Sequence, residues 1–199
     1  MKIGVFGGTF DPVHDGHIKL AGQAVNECKL DQLIVVPANA QPFKLNRTLT
    51  DGKHRFRMLK LAFQHEDKVS VSDIELVKGA VSYTIETLNM VKRLHKDSEI
   101  SFVVGIDAFL KVEMWKDADE LLKEYSFIIG ARPGYMESEL DELASLLKER
   151  HGTKVTRIDN EQIPVSSTEI KERIKAGQDC GAFLHPEVER YIVENGLYS

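Results

Sequence analysis

Short apolar runs alternate with amphipathic stretches along the whole of this 199-residue chain. Lys2-Ile3-Gly4-Val5-Phe6 is a run of strand length that ends in two glycines, the pattern of a buried strand feeding a tight loop. From Gly16 to Cys28, Ile18, Leu20, Ala21, Ala24 and Val25 recur at helical spacing. Strands follow at Leu33–Val36, stopped by Pro37, at Val69–Ile74, Ile100–Val104, Phe127–Ile129 and Lys154–Ile158. Helices fall between and after them, at His54–Gln64, Ser82–His95, Ala118–Tyr125, Leu140–Arg150, Thr168–Ala176 and Pro186–Asn195. Pro186 sits where a helix starts and Gly196 where one stops. Alternation of this kind predicts an α/β fold, with a mostly parallel sheet, doubly wound by right-handed crossovers. Ligands then bind at the carboxyl ends of the strands, near the switch point.

The chain is long enough to bury a core without disulfides or a structural metal. Cys28 and Cys180 lie far apart and outside any metal-ligand spacing, which reads as two reduced thiols. The net charge of −5 argues against a nucleic-acid binder. No stretch approaches the roughly 20 apolar residues of a membrane span. The first apolar run breaks on glycine and does not read as a signal peptide. We expect a cytoplasmic protein with no membrane or nucleic-acid partner, and residues 1–199 as a single domain. Residues 165–199 would be its C-terminal helical part. A homo-oligomer is left open.

The segment Gly7-Gly8-Thr9-Phe10-Asp11-Pro12-Val13-His14-Asp15-Gly16-His17 joins the first strand to the first helix. The two glycines let the backbone approach an anion and adopt positive φ. The helix start adds unpaired N–H groups and a positive dipole end. His14 and His17 flank the first turn, so both rings point to one side. Gly16 between them leaves room for a ligand. A protonated ring would offset phosphate charge. Neither the P-loop nor the Gly-x-Gly-x-x-Gly pattern fits.

The whole string resembles the His-x-Gly-His nucleotidyltransferase superfamily, and within it most resembles the bacterial nicotinate-nucleotide adenylyltransferases. That resemblance implies a Rossmann-like nucleotidyltransferase fold, with Gly7, Gly8, Thr9, Phe10, His14 and His17 at ATP. A second motif is Pro164-Val165-Ser166-Ser167-Thr168-Glu169-Ile170-Lys171. Ser166 and Glu169 have capping-box spacing, and the hydroxyl-rich helix start is a second anion site able to face the first. It resembles the family's Ser-Ser-Thr-x-Ile-Arg run, which implies triphosphate contacts from Ser166, Ser167, Thr168 and Lys171. Lys171 stands where arginine is usual, keeping the charge but losing the bidentate fork.

Other resemblances follow in chain order. The loop Val36–Lys44 resembles one ending Pro-His-Lys, with Phe43 in place of histidine, and implies that Lys44 contacts the mononucleotide phosphate. Ser82 or Thr84 would cap a helix, and the resemblance implies that Thr84 holds the pyridine carboxylate and that Trp115 stacks near the ring. For a lone Trp, plain core packing is the simpler account. Gly105-Ile106-Asp107 resembles Gly-Ala-Asp, which implies that Gly105 and Asp107 hold adenosine or ribose. Asp107 alternatively caps a short helix. Ala131-Arg132-Pro133-Gly134 implies mononucleotide binding by Arg132. The C-terminal Gly196-Leu197-Tyr198 run is expected to be structural.

The implied reaction takes ATP and nicotinate mononucleotide to deamido-NAD and pyrophosphate, a step of NAD biosynthesis. His14, His17 and Lys171 would be its catalytic residues. Mg²⁺ would arrive on the ATP phosphates, with no protein cage. A nucleotidyltransferase acting on nicotinamide mononucleotide or another phosphorylated acceptor is an alternative, and a nucleotide-binding regulator that has lost catalysis is another.

Overall fold

The computed structural model describes residues 1–39, 49–131, 136–159 and 165–199. Among these, six strands form one sheet: β1 (Lys2–Gly8), β2 (Gln32–Pro37), β3 (Val69–Val71), β4 (Glu99–Gly105), β5 (Ser126–Ala131) and β6 (Val155–Asp159). Their order is β3-β2-β1-β4-β5-β6, and every neighbouring pair is parallel. The helices are α1 (Asp15–Glu27), α2 (Gly52–Ala62), α3 (Ile74–Lys78), α4 (Thr84–Leu94), α5 (Ile106–Phe109), α6 (Ala118–Glu124), α7 (Glu137–His151), α8 (Ser167–Lys175) and α9 (Pro186–Glu194).

Period-2 alternation divides the apolar residues of each strand between two cores. Phe6, Leu33, Val35, Val103, Ile128 and Ile158 face one core, completed by α1, α2, α8 and α9. Ile3, Val5, Ile34, Val36, Phe102, Val104, Phe127 and Ile129 face the other, completed by α4 to α7. Both faces are therefore covered, as the near-continuous apolar strands require. The last two helices belong to the first core through Ile170, Val188 and Ile192 rather than standing apart as a cap.

Two departures from the sequence reading have local causes. The run Val69–Ile74 is strand only to Val71, and Ile74 opens α3. Ser72 and Asp73 end the ladder, and Gly79 in the left-handed conformation (φ 68°) closes the helix with its N–H on the Glu75 and Leu76 carbonyls. Neither Ser82 nor Thr84 caps α4. Tyr83 is its N-cap residue, without a side-chain cap, because the Ser82 hydroxyl instead accepts from the Asn39 N–H at 3.0 Å.

The strand order reverses between β1 and β4, the switch point at which such sheets hold ligands. The β1 loop is tied in place by Arg55, whose side chain is 1% exposed. Its guanidinium donates to the carbonyls of Thr9 (2.8 Å), Ala38 (2.7 Å) and Thr50 (2.8 Å). One planar fork thus joins the segments after β1 and β2 to the entry of α2. Burial draws the Arg55 pKa down while the Asp11 charge draws it back up. An Arg55→Met protein should keep the packing volume but strand three carbonyls, costing roughly 3–5 kcal/mol. Urea unfolding checks this, and a loss below about 1 kcal/mol would mean that the loops are held by something else.

Candidate active site

β1 delivers Gly7 and Gly8 to the carboxyl edge of the sheet. Neither adopts positive φ; Phe10 does, at 49°. The glycines are needed for close approach of rings. A Cβ on Gly7 would sit 3.1 Å from the Phe102 ring, and one on Gly8 2.9 Å from the Phe10 ring. Phe10 holds its left-handed conformation because its side chain, 1% exposed, is locked in the core. Its ring meets Phe6 and His17 edge-on, at 5.2 and 5.0 Å between centroids.

His14 is the N-cap residue of α1 and His17 the third residue of its first turn. Their ring centroids lie 3.8 Å apart, so both rings do share one side. His17 Nδ1 accepts from the His14 N–H at 3.3 Å, which fixes one face of its ring. Gly16 makes room for the His14 ring itself, since an added Cβ would lie 3.1 Å from both Cε1 and Nδ1. His14 is buried, and its Nδ1 has no hydrogen-bond partner. A protonated ring would have to bury that N–H unpaired, so burial pushes the His14 pKa down to about 4. At neutral pH His14 is a neutral ring in this state, without the charge that a protonated ring would set against phosphate.

The second motif meets the first. Ser166 caps α8, its hydroxyl accepting from the Glu169 N–H at 3.1 Å. The carboxylate of Glu169 does not return the bond; it pairs with Arg173 at 3.1 Å. Ser167 donates to the Pro12 carbonyl at 2.9 Å, which fastens the start of α8 to the glycine-histidine loop. Thr168 is exposed beside it. Lys171 does not point freely at solvent. Its ammonium donates to Asp11 Oδ2 at 3.1 Å. Asp11 is 3% exposed and also accepts from the Tyr198 hydroxyl at 2.7 Å and, more weakly, from the Thr50 N–H at 3.5 Å. Burial by itself would raise the Asp11 pKa; these donors outweigh it and hold the carboxyl below its ordinary value. A cavity of about 440 Å³ opens here, lined by Asp11, Thr50, Thr168, Lys171, Lys175 and Tyr198 among others.

The other half of the crevice gathers around α4. Asn39 donates to the Ala80 carbonyl at 3.1 Å, which brings the segment after β2 to the lead of that helix. Thr84 is the first residue of α4 and is half-buried. Trp115 is half-buried and meets Phe102 edge-on at 5.9 Å, so the aromatic packing reading holds for part of its surface. Phe102 therefore touches both Gly7 and Trp115, linking the two halves. Lys116 lies over the Tyr83 ring at 4.5 Å and pairs with Glu86 at 2.6 Å. Gly105, not Asp107, is the N-cap residue of α5, and Asp107 is exposed in its first turn. Lys44 and Arg132 lie outside the described residues.

Four residues of the site escaped the sequence reading. Asp11 sat inside the quoted loop as a spacer; only its burial reveals a hub. Arg55 looked like one of many charges on an amphipathic helix. Phe102 read as an ordinary strand residue. Tyr198 was assigned to structure, and no periodic signal could place it 187 positions away against Asp11.

Two outcomes test this geometry. Gly16→Ala should favour the helix slightly but displace the His14 ring, lowering turnover about tenfold with little loss of melting temperature. Equal turnover would show that the ring position is immaterial. The depressed pKa of His14 also makes a stability prediction. Its contribution is fully present above the unfolded value near 6.5 and is lost as pH falls towards about 4. Urea unfolding should show a loss of about 3 kcal/mol over that window that His14→Asn, still a competent N-cap, largely abolishes. A pH dependence identical in the two proteins would be inconsistent with a neutral buried His14.

Comparison with known proteins bears on the family and the fold. The Cytidylyltransferase-like family model matches residues 5–173. A protein of Thermoanaerobacter sp. (strain X514) named "Probable nicotinate-nucleotide adenylyltransferase" is 37% identical over 199 residues, covering 100% of this chain and 94% of the relative. One of the same name from Clostridium tetani (strain Massachusetts / E88) is 34% identical, covering 99% and 98%. The fold matches that of Plasmodium falciparum nicotinic acid mononucleotide adenylyltransferase complexed with NaAD, with a TM-score of 0.80, 22% identity, and coverage of 99% and 97%. The parallel sheet and the end-to-end match with these relatives place the chain in the cytidylyltransferase-like family, as a nucleotidyltransferase of the nicotinate-nucleotide adenylyltransferase group.

Proposed function

We propose that this enzyme transfers the adenylyl group of ATP to nicotinate mononucleotide, releasing pyrophosphate and forming deamido-NAD for NAD biosynthesis. The observation that carries this reading is the junction of two helix starts. α1 with His14 and His17, and α8 with Ser166 to Lys171, are fastened together by the Ser167–Pro12 hydrogen bond. The Asp15 N–H of α1 is already paired with the Phe183 carbonyl and the Glu169 N–H of α8 with the Ser166 hydroxyl, so what each helix start adds is its positive dipole end. Together they suit a polyphosphate stretched between them, despite a net charge of −5.

In this reading a mononucleotide phosphate oxygen attacks the α-phosphorus of ATP. One P–O bond forms as the bond to the departing pyrophosphate breaks in line with it. The attacking phosphate is already anionic, so no general base is required. Catalysis is then positioning and charge stabilisation. His14 and His17 hold oxygens of the α- and β-phosphates, with His17 placed to stabilise the transition state. Gly7, Gly8, Thr9 and Phe10 shape the floor. Ser166, Ser167, Thr168 and Lys171 hold the β- and γ-phosphates. Gly105 and Asp107 lie at the switch point, where adenosine or ribose would rest. Thr84 and Trp115 face the pyridine side, with Lys44 and Arg132 assigned to the mononucleotide phosphate.

Mg²⁺ would come with ATP. Among the described residues no three His, Cys, Asp or Glu side chains cluster as metal ligands. A cation there would rely on phosphate oxygens and water, which suits Mg²⁺. Among the described residues no helix is long and apolar enough to cross a membrane. We read both substrates as small molecules free in solution, and the C-terminal helices as part of one catalytic unit.

Parallel assays with ATP and either mononucleotide test the reading through pyrophosphate release and dinucleotide product. Nicotinate mononucleotide should be the better acceptor. Faster turnover of nicotinamide mononucleotide would overturn the acceptor assignment, and absence of pyrophosphate with both would overturn the reaction. His17→Ala should lower turnover by about 10²–10³ at unchanged fold. Near-normal turnover of that protein would remove His17 from the mechanism.

A further inference from the structure

We infer that Tyr198, the penultimate residue, is a positioning residue for the Lys171 ammonium, acting through the Asp11 carboxylate. This rests on the reading of Lys171 as a phosphate contact.

α9 ends at Glu194 with Asn195 as its C-cap residue, and the chain turns back on itself at once. Gly196 takes φ 58°, and the Leu197 N–H donates to the Ile192 carbonyl at 3.0 Å. Tyr198 takes φ 67°, a conformation that a residue with a side chain adopts only where its surroundings impose it. The result is a hydroxyl seated 2.7 Å from Asp11 Oδ1. Burial and the neighbouring carboxylate both raise the Tyr198 pKa, so the phenol stays protonated and donates.

The division of labour on Asp11 is the central point. Tyr198 takes Oδ1, whereas Lys171, with a weaker bond from the Thr50 N–H, takes Oδ2. Among the described residues the ammonium is thereby held by one oxygen. It has three donors, so two remain for an anion in the cavity that Lys171 lines with Thr168 and Lys175. The Tyr198 ring stands 6.0 Å from the ammonium and limits its movement on that side. A lysine has a flexible stem and no planar fork, so its direction must be supplied from outside. Here the last turn of the chain supplies it. Without the phenol, Oδ1 loses its 2.7 Å donor, and the carboxylate is free to turn further towards Lys171. The lysine is then drawn away from the anion.

Steady-state kinetics on the full-length protein tests this. Y198F should raise the KM for ATP about fivefold to tenfold, the scale of one ordinary net hydrogen bond acting at second hand. The KM for nicotinate mononucleotide should change by less than about twofold. In a K171M background, which keeps the aliphatic stem, Y198F should add nothing further. D11N should also raise the KM for ATP selectively, and Y198F on top of it should have little additional effect. An unchanged KM for ATP in Y198F or in D11N overturns the inference. So does the same added factor from Y198F in the K171M background, because a merely structural role is independent of the ammonium. If K171M alone leaves the KM for ATP unaltered while the enzyme still makes deamido-NAD, the phosphate role of Lys171 fails, and the inference falls with it. If K171M raises that KM and Y198F does not, only the inference fails.

Discussion

A carboxylate buried beside the site organises this protein. Asp11 is nearly inaccessible, and an ionised carboxylate without partners could not remain there. It stays charged because donors converge on it from three distant parts of the chain: Thr50 before α2, Lys171 in α8 and Tyr198 at the C-terminus. Each donor gains a fixed position in return. Arg55, fully buried a short way off, does the same for main-chain carbonyls after β1 and β2. The glycine-histidine loop is thus shaped by two buried charges more than by its own turn chemistry.

The imidazoles show the opposite use of burial. His14 caps α1 with its backbone and packs its ring against His17, and burial without a partner keeps that ring neutral. A neutral imidazole donates one hydrogen bond without adding charge. Positive potential at this edge of the sheet then comes from the two helix starts and from Lys171. Such potential is local and set by direction rather than by net charge.

Aromatic packing couples the two halves of the crevice. Phe102 occupies the space that a side chain at Gly7 would need and presents its edge to Trp115. A shift of the Trp115 ring is thereby passed through Phe102 to the backbone at Gly7. Asn39 adds a second connection, donating to Ser82 and Ala80 and drawing the α4 lead towards β2.

Much was decided by sequence. The alternation of apolar runs determined the α/β class, since strands covered on both faces must be apolar throughout and their crossover helices must be amphipathic. The Gly7–His17 and Ser166–Lys171 strings determined the two helix starts, because caps and first turns depend on neighbours within four residues. Tertiary structure alone decided what lies between them. The left-handed residue is Phe10 and not a glycine, because core packing outweighs local preference. Gly16 serves the His14 ring, because that ring folds back over the helix start. The short α3 was missed because five residues make little more than one turn, too short a run for a periodic signal to separate it from the three-residue β3 before it. Asp11, Arg55 and Tyr198 act through contacts 39 to 187 positions apart for Asp11 and up to 46 for Arg55. No local pattern encodes such contacts; they exist only once the sheet has brought the ends of its strands to one edge.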